Sequence, residues 1–282
     1  ERFEAKDIIE ANNQYVYPGF YDAHAHLYKY GLTMQTVNLR GTKSYDEVVA
    51  KVVEFQQRKK VAFIEGRGWD QNDWENKEFP TRAKLDALFP ETPVVLTRID
   101  GHAMLVNEKA LDLAGITENT KVEGGQVEVI NGKTTGILVD NAMELIKAIT
   151  PEPSLKTKIQ ALKEAQDTVF NYGITTINEA GLDREIIELI DSLKKAKVLD
   201  LNVYAMAMAT KENLAYYTQK GIYKTPQLNV RSFKFMGDGA LGSRGACLHL
   251  PYSDKPKQFG ALLSPIEEIK SSMALFAESR IS

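Results

Sequence analysis

The chain has 282 residues, 43% of them hydrophobic and 26% charged, the proportions of a folded protein with room for one large domain or two smaller ones. Thirty-five Lys and Arg stand against 38 Asp and Glu, a formal net charge of -3, which argues against a dedicated nucleic-acid binder with its usual basic excess. The single cysteine, Cys247, excludes an intrachain disulfide framework and a multi-cysteine metal site. No apolar run is long enough to span a bilayer, and no signal-peptide pattern opens the chain. A cytoplasmic location is therefore expected, with room for a lost leader because the first residue is Glu1 rather than Met.

Gln14 to His24 is rich in Tyr, Val and Phe and is broken by Pro18-Gly19; it reads as a kinked strand opening into a loop around Leu27 to Gly31. Ser44 to Lys59 carries Val48, Val49, Val52, Val53 and Phe55 at helical spacing behind a serine suited to an N-cap. Val61 to Ile64 and Pro93 to Ile99 are short strand-type runs, separated by the polar loop GRGWDQNDWENKEFPTR and a short helix over Arg82 to Leu88. Glu108 to Leu113 and Ala142 to Ile149 are further short helices. Gly124 to Gly136 predicts a hairpin turning at Asn131-Gly132.

After Pro153 the rhythm changes. Lys156 to Tyr172 is an amphipathic helix with Ile159, Leu162, Ala165, Val169 and Phe170 inward, closed by Gly173. Then come a strand (Ile174 to Ile177), a helix (Arg184 to Lys197), strands at Leu199 to Ala207 and Val230 to Met236, and a last helix over Pro265 to Glu278. Strands alternating with helices through short connections predict parallel βα units. Residues 60–148 read as an α+β insertion between 1–59 and 149–282.

The chemistry starts at Asp22-Ala23-His24-Ala25-His26. Residues two apart on an extended strand face the same side, so His24 and His26 can present two imidazoles to one divalent metal. Asp22 is placed to orient them from behind. Arg98, Asp100 and His102 alternate at the end of PVVLTRID, where an extended backbone would align them. They could hold a substrate carbonyl and steady negative charge developing on it, or form a salt-bridged loop with His102 capping the next helix. Trp69 and Trp74 are either walls of an apolar substrate pocket or the insertion's own core.

Several segments, in order, carry a family resemblance. VYPGFYDAHAHL (Val16 to Leu27) resembles the first-strand signature of the amidohydrolase superfamily. GRGWDQNDW (Gly66 to Trp74), LTRIDGHAMLVNEKAL (Leu96 to Leu111) and FKFMGDGALGSR (Phe233 to Arg244) resemble its amidohydrolase-3 branch, which includes N-substituted formamide deformylases. The resemblance implies an α/β fold, a TIM-type (β/α)₈ barrel with one or two divalent metals at the C-terminal mouth of its strands. It maps the buried metal onto His24 and His26, and a metal-bridging carboxylated lysine onto Lys234. It favours a pocket role for His102, with Arg98 as a second catalytic candidate; Asp100, Trp69 and Trp74 stand as substrate-side candidates on residue type alone. Asn178-Glu179 departs from the family's usual histidine and aspartate, so Glu179 is read as a supporting or solvated carboxylate.

The expected activity is metal-dependent hydrolysis of a C–N bond in a small amide, formamide or cyclic amide. Zinc is the first choice of metal on ligand type, with iron or manganese as options. Two readings compete. One is a nucleotide-binding oxidoreductase using Gly237–Gly242, which formally satisfies G-x-G-x-x-G but is followed by SRGACLHLPYSD, without helical periodicity. The other is a catalytically silent barrel relative. Neither nucleic acid nor a membrane is an expected partner, and a homo-oligomer is open. Only about four barrel strands are found where closure needs eight, so only the first half of the barrel is expected here, with its remaining strands and ligands supplied by residues outside this sequence.

Overall fold

The computed structural model describes residues 6–239, 241 and 245–279. In chain order the elements are β1 (Phe20–Ala25), α1 (Leu27–Thr33), β2 (Val37–Asn38), α2 (Tyr45–Lys59), β3 (Ile64–Trp69), α3 (Ala83–Leu88), β4 (Val94–Arg98), β5 (Ala103–Val106) and α4 (Glu108–Ala114). Then follow β6 (Gly125–Ile130), β7 (Lys133–Asp140), α5 (Met143–Lys147), α6 (Leu155–Asn171), β8 (Ile174–Leu182), α7 (Arg184–Lys195), β9 (Asn202–Met208), α8 (Lys211–Lys220), β10 (Tyr223–Lys224), β11 (Leu228–Lys234) and α9 (Ile266–Ser279). Two compact units result. One takes the residues up to Leu27 and from Gln166 onward; the other is Tyr28–Ala165. The expected insertion, 60–148, lies inside the second.

The first unit is built on a five-stranded sheet in the order β1-β8-β9-β11-β10. Four of these strands run parallel, and only the two-residue β10 is antiparallel. The segments between β8, β9 and β11 carry α7 and α8, as parallel pairing requires. Along β9 burial alternates residue by residue, with Val203, Ala205 and Ala207 buried, the period of a sheet with one covered face. On β11 Phe233 stacks on Phe276 of α9, ring centroids 4.6 Å apart, and meets Tyr217 of α8 edge-on. These are βα units of the TIM-barrel kind, and among the described residues the sheet does not close on itself.

The expected strand from Gln14 begins only at Phe20. Pro18 has no N–H to give a ladder, and Asn12 and Asn13 sit in the left-handed region. Gly19 is pressed on Thr175, where a Cβ would lie 2.1 Å from the threonine hydroxyl. Pairing starts immediately after, through Phe20 N–H to the Gly173 carbonyl at 2.8 Å.

The second unit holds a six-stranded mixed sheet, β2-β3-β4-β5-β7-β6. Here the polar stretch expected as a loop is in part β3. Gly66 tolerates little else, since a Cβ would crowd Leu96, Val37 and Leu39, so low strand propensity yields to close packing. Ser44 caps α2 by accepting the Glu47 N–H, and Glu47 in turn accepts the Lys43 N–H. The β6–β7 hairpin turns at Asn131 (φ 52°) and Gly132 (φ 73°), the left-handed pair that matches strand twist. One core packs α2 and α3 on the sheet through Val48, Val52, Phe55, Leu85 and Leu96. A second lies under α4 and α5 through Leu111, Leu138 and Ile146. Among the described residues no helix is long and apolar enough to cross a membrane.

Candidate metal centre

All four parallel strands of the first unit deliver their C-terminal ends to one edge of the sheet. There β1 runs out through His24 and Ala25 into His26, and β11 ends on Lys234. Both imidazoles are exposed, and their ring centroids lie 5.5 Å apart, nearly perpendicular at 86°. Two imidazoles on one tetrahedral zinc, each nitrogen about 2 Å from the ion, have centroids about 5 Å apart, so the pair fits a shared ion. Asp22 accepts the backbone N–H of His24 at 3.0 Å. Its effect therefore falls on the backbone of the strand end.

Glu179 lies opposite Ala25 in the β1–β8 register. It is 1% exposed, so it is not a solvated carboxylate; it accepts the Leu27 N–H at 2.5 Å. A buried carboxylate thereby anchors the backbone directly after His26. Its neighbour Asn178 accepts the Tyr21 hydroxyl, a second tie between β1 and β8 that the sequence reading missed.

Lys234 pairs with Met208 of β9 in register, and its side chain passes over Gly181 of β8. A Cβ at Gly181 would come 3.1 Å from the lysine Cγ. Lys234 makes no ion pair with Asp238 among the described residues; Asp238 accepts the Cys247 N–H, at 3.0 Å. Among the described residues no three His, Cys, Asp or Glu side chains cluster to hold a metal. The candidate donors at this edge are thus the histidine pair and Lys234.

The remaining candidates belong to the second unit. Arg98, Asp100 and His102 do not share the face of an extended strand. Strand β4 stops at Arg98, and the chain reverses through Gly101 (φ +79°) into the antiparallel β5. What forms is a knot of ion pairs around that turn. Arg98 reaches Asp100 at 3.0 Å and Asp70 at 3.4 Å, while Asp100 accepts the His102 N–H at 3.1 Å. The imidazole Nδ1 of His102 meets Asp140 at 2.9 Å, with most of the ring in solvent. His102 does not cap α4; Asn107 does, accepting the Ala110 N–H. The sequence reading missed Asp70 and Asp140, although D-Q after GRGW and the Asp140-Asn141 pair were visible polar breaks.

Trp69 and Trp74 lie in the core, 1% and 5% exposed, their indole N–H groups donating to the carbonyls of Leu96 and Thr42. Both rings pack among the other side chains of that core. Gly242 of the glycine loop lies outside the described residues. In the described part, Gly237 and Asp238 pair with the strand-like segment at Leu262 and Leu263, and no helix lies between residues 245 and 265. A pyrophosphate would lack the helix N-terminus that the dinucleotide fingerprint needs.

Parallel βα units, with a histidine pair where the first strand ends, define an α/β protein of the TIM-barrel kind. The chain belongs to the amidohydrolase family, which it matches over residues 7–279. It is 31% identical to the protein LONG AFTER FAR-RED 3 of Arabidopsis thaliana, over 93% of this chain and 48% of that protein. It is 32% identical to the putative amidohydrolase YtcJ of Bacillus subtilis, over 89% and 49% respectively. An N-substituted formamide deformylase of Arthrobacter pascens is 27% identical, over 65% and 35%. Among solved structures, an uncharacterized metal-dependent hydrolase from Pyrococcus horikoshii superposes with a TM-score of 0.72 and 27% identity, covering 94% of this chain and 52% of that one. The chain thus spans about half the length of the curated relatives it matches most fully.

Proposed function

We propose that the chain forms the first half of a (β/α)₈ barrel in a metal-dependent hydrolase acting on a C–N bond of an amide, formamide or cyclic amide. One observation carries this reading: two imidazoles 5.5 Å apart end a parallel strand on the edge where Lys234 also ends one. In this proposal His24 and His26 hold a divalent ion, zinc first on ligand type and iron or manganese next. Lys234, as a carbamate, would add an oxygen ligand. Once bound, such an ion supplies an activated water and polarises the carbonyl to be attacked. Asp22 and Glu179 keep the strand end in place through the backbone at His24 and Leu27. His102 and Arg98 remain the candidates to act on substrate, with Asp100 beside them; Trp69 and Trp74 support the unit that carries them. The relationship to a formamide deformylase and to metal-dependent hydrolases supports the bond class and the metal.

The test is metal analysis of the purified protein, followed by turnover of formamides, N-acyl amines and cyclic amides. Stoichiometric zinc that disappears in His24→Ala/His26→Ala supports the site. Metal retained in that variant removes it. Lys234→Ala regaining a second metal with short carboxylic acids supports the carbamate, whereas an unmodified lysine mass under carbon dioxide with full metal loading counts against it.

A further inference from the structure

Within the second unit, one face of α2 and one face of the N-terminal part of α6 enclose a groove of about 830 Å³, a volume in the range of small-molecule sites. Lys51, Phe55 and Arg58 recur along α2 at a spacing of four and then three, which sets them in one stripe. Phe55 lies between the two cations. Itself buried, it forms the groove floor with Met34 and Val37. Across from it α6 presents Lys156, Gln160 and Glu164, again on one face.

The charges in this groove do not cancel. Glu164 is already committed, accepting from Lys59 at 2.5 Å, Gln35 at 2.8 Å and Gln160 at 2.9 Å. Burial pushes its carboxyl up, but those three hydrogen bonds outweigh it and hold the group below the usual carboxylate range. That pair is closed. Lys51, Arg58 and Lys156 are left against Glu54 alone, and among the described residues none of these four side chains has an ion-pair or hydrogen-bond partner. Cations gathered in a concavity raise the local concentration of anions, here on a chain whose net charge is -3.

We propose that this groove binds an elongated organic dianion, its acidic ends at Lys51 and Arg58 and its apolar middle over Phe55 and Met34. Seven residues separate the two cations, about 10 Å along the helix. A short dianion cannot reach both, and a monoanion satisfies only one. Lys156 faces the same space from α6.

The probes are decanedioate, propanedioate and decanoate, titrated into the whole protein by calorimetry and followed at the methyl signal of Met34, assigned through Met34→Leu. Decanedioate should bind saturably, shift that signal, and bind about tenfold more tightly than either other probe. Lys51→Gln and Arg58→Gln, both at solvent-facing positions, should each weaken it by about tenfold. Raising NaCl from about 50 to about 300 mM should also weaken it. Absence of saturable binding, equal binding of propanedioate, or affinity unchanged in both variants would overturn the assignment.

Discussion

Lys194 is a lysine placed where a charge is unwelcome. It is 8% exposed on α7, and its ammonium donates to the carbonyl of Leu201. Burial pulls its pKa from 10.5 down to about 8, with Asp200 opposing the shift. Below about pH 8 both folded and unfolded chains carry the proton, and the burial penalty is fully present. Between about 8 and 10.5 the folded chain has released it while the unfolded chain still holds it, so stability rises with pH across that window, by at most about 1.4 kcal/mol per unit. Tyr45 and Tyr217 act the other way. Burial raises both hydroxyls well above 10, so above pH 10 the folded state keeps protons that the unfolded state loses, and stability falls. Urea midpoints at pH 7 and 9.5 should therefore rise in the native protein and stay level in Lys194→Met; parallel behaviour of the two would count against the buried charge. Asn107 offers a second case. Fully buried, it accepts from Val94 N–H and Ala110 N–H and donates to the carbonyls of Phe89 and Thr92. Asn107→Ala strands those groups and should cost about 3 kcal/mol in chemical denaturation; a loss under about 1 kcal/mol would mean that water replaces the side chain.

At the scale of elements, α1 and α6 show how one atom sets a packing distance. A Cβ on Gly31 would sit 2.2 Å from the carbonyl oxygen of Ala161, a backbone atom that cannot swing aside. Gly31→Ala should cost about 1–3 kcal/mol through overpacking, read as a lowered melting temperature; an unchanged one would show that the helices part freely. Nothing in the sequence around Gly31 announced this, because the constraint comes from a residue 130 positions away. The same distinction governs what else was legible. Helix α2, the Asn131-Gly132 hairpin and the alternating βα run rest on local patterns and appear where the periodicity puts them. Strand β3 was hidden because its glycines deny it strand propensity, and only its partners β2 and β4 supply the pairing. His24 and His26 were legible because a spacing of two on a strand dictates their proximity. Asp140 at His102 was not, since β7 must pair with β5 before the two residues meet.

Over the whole molecule, the second unit has the features of a self-sufficient insertion. Among the described residues, the buried side chains of its two apolar cores lie between Val37 and Ile146, with Ile149 packed against one of them, and its six strands pair with one another. Its two ends lie close together, because Gly31 of α1 rests directly on Ala161 of α6. Neighbouring ends allow a folded unit to be set into another chain without strain at the junctions. Its core packs two helices on a sheet and two more beneath it, well above the size at which a domain needs a staple. Residues 28–171, kept long enough to leave α6 whole, should then fold when produced alone. They should show one cooperative thermal transition with near-ultraviolet dichroism from buried Trp69 and Trp74. A broad transition with no such signal would mean that the cores do not suffice without the first unit. Decanedioate gives the folded segment a second readout, since every residue lining the charged groove lies between Tyr30 and Glu164. Binding to the whole protein but not to a cooperatively folded segment would place part of that groove's affinity outside these residues.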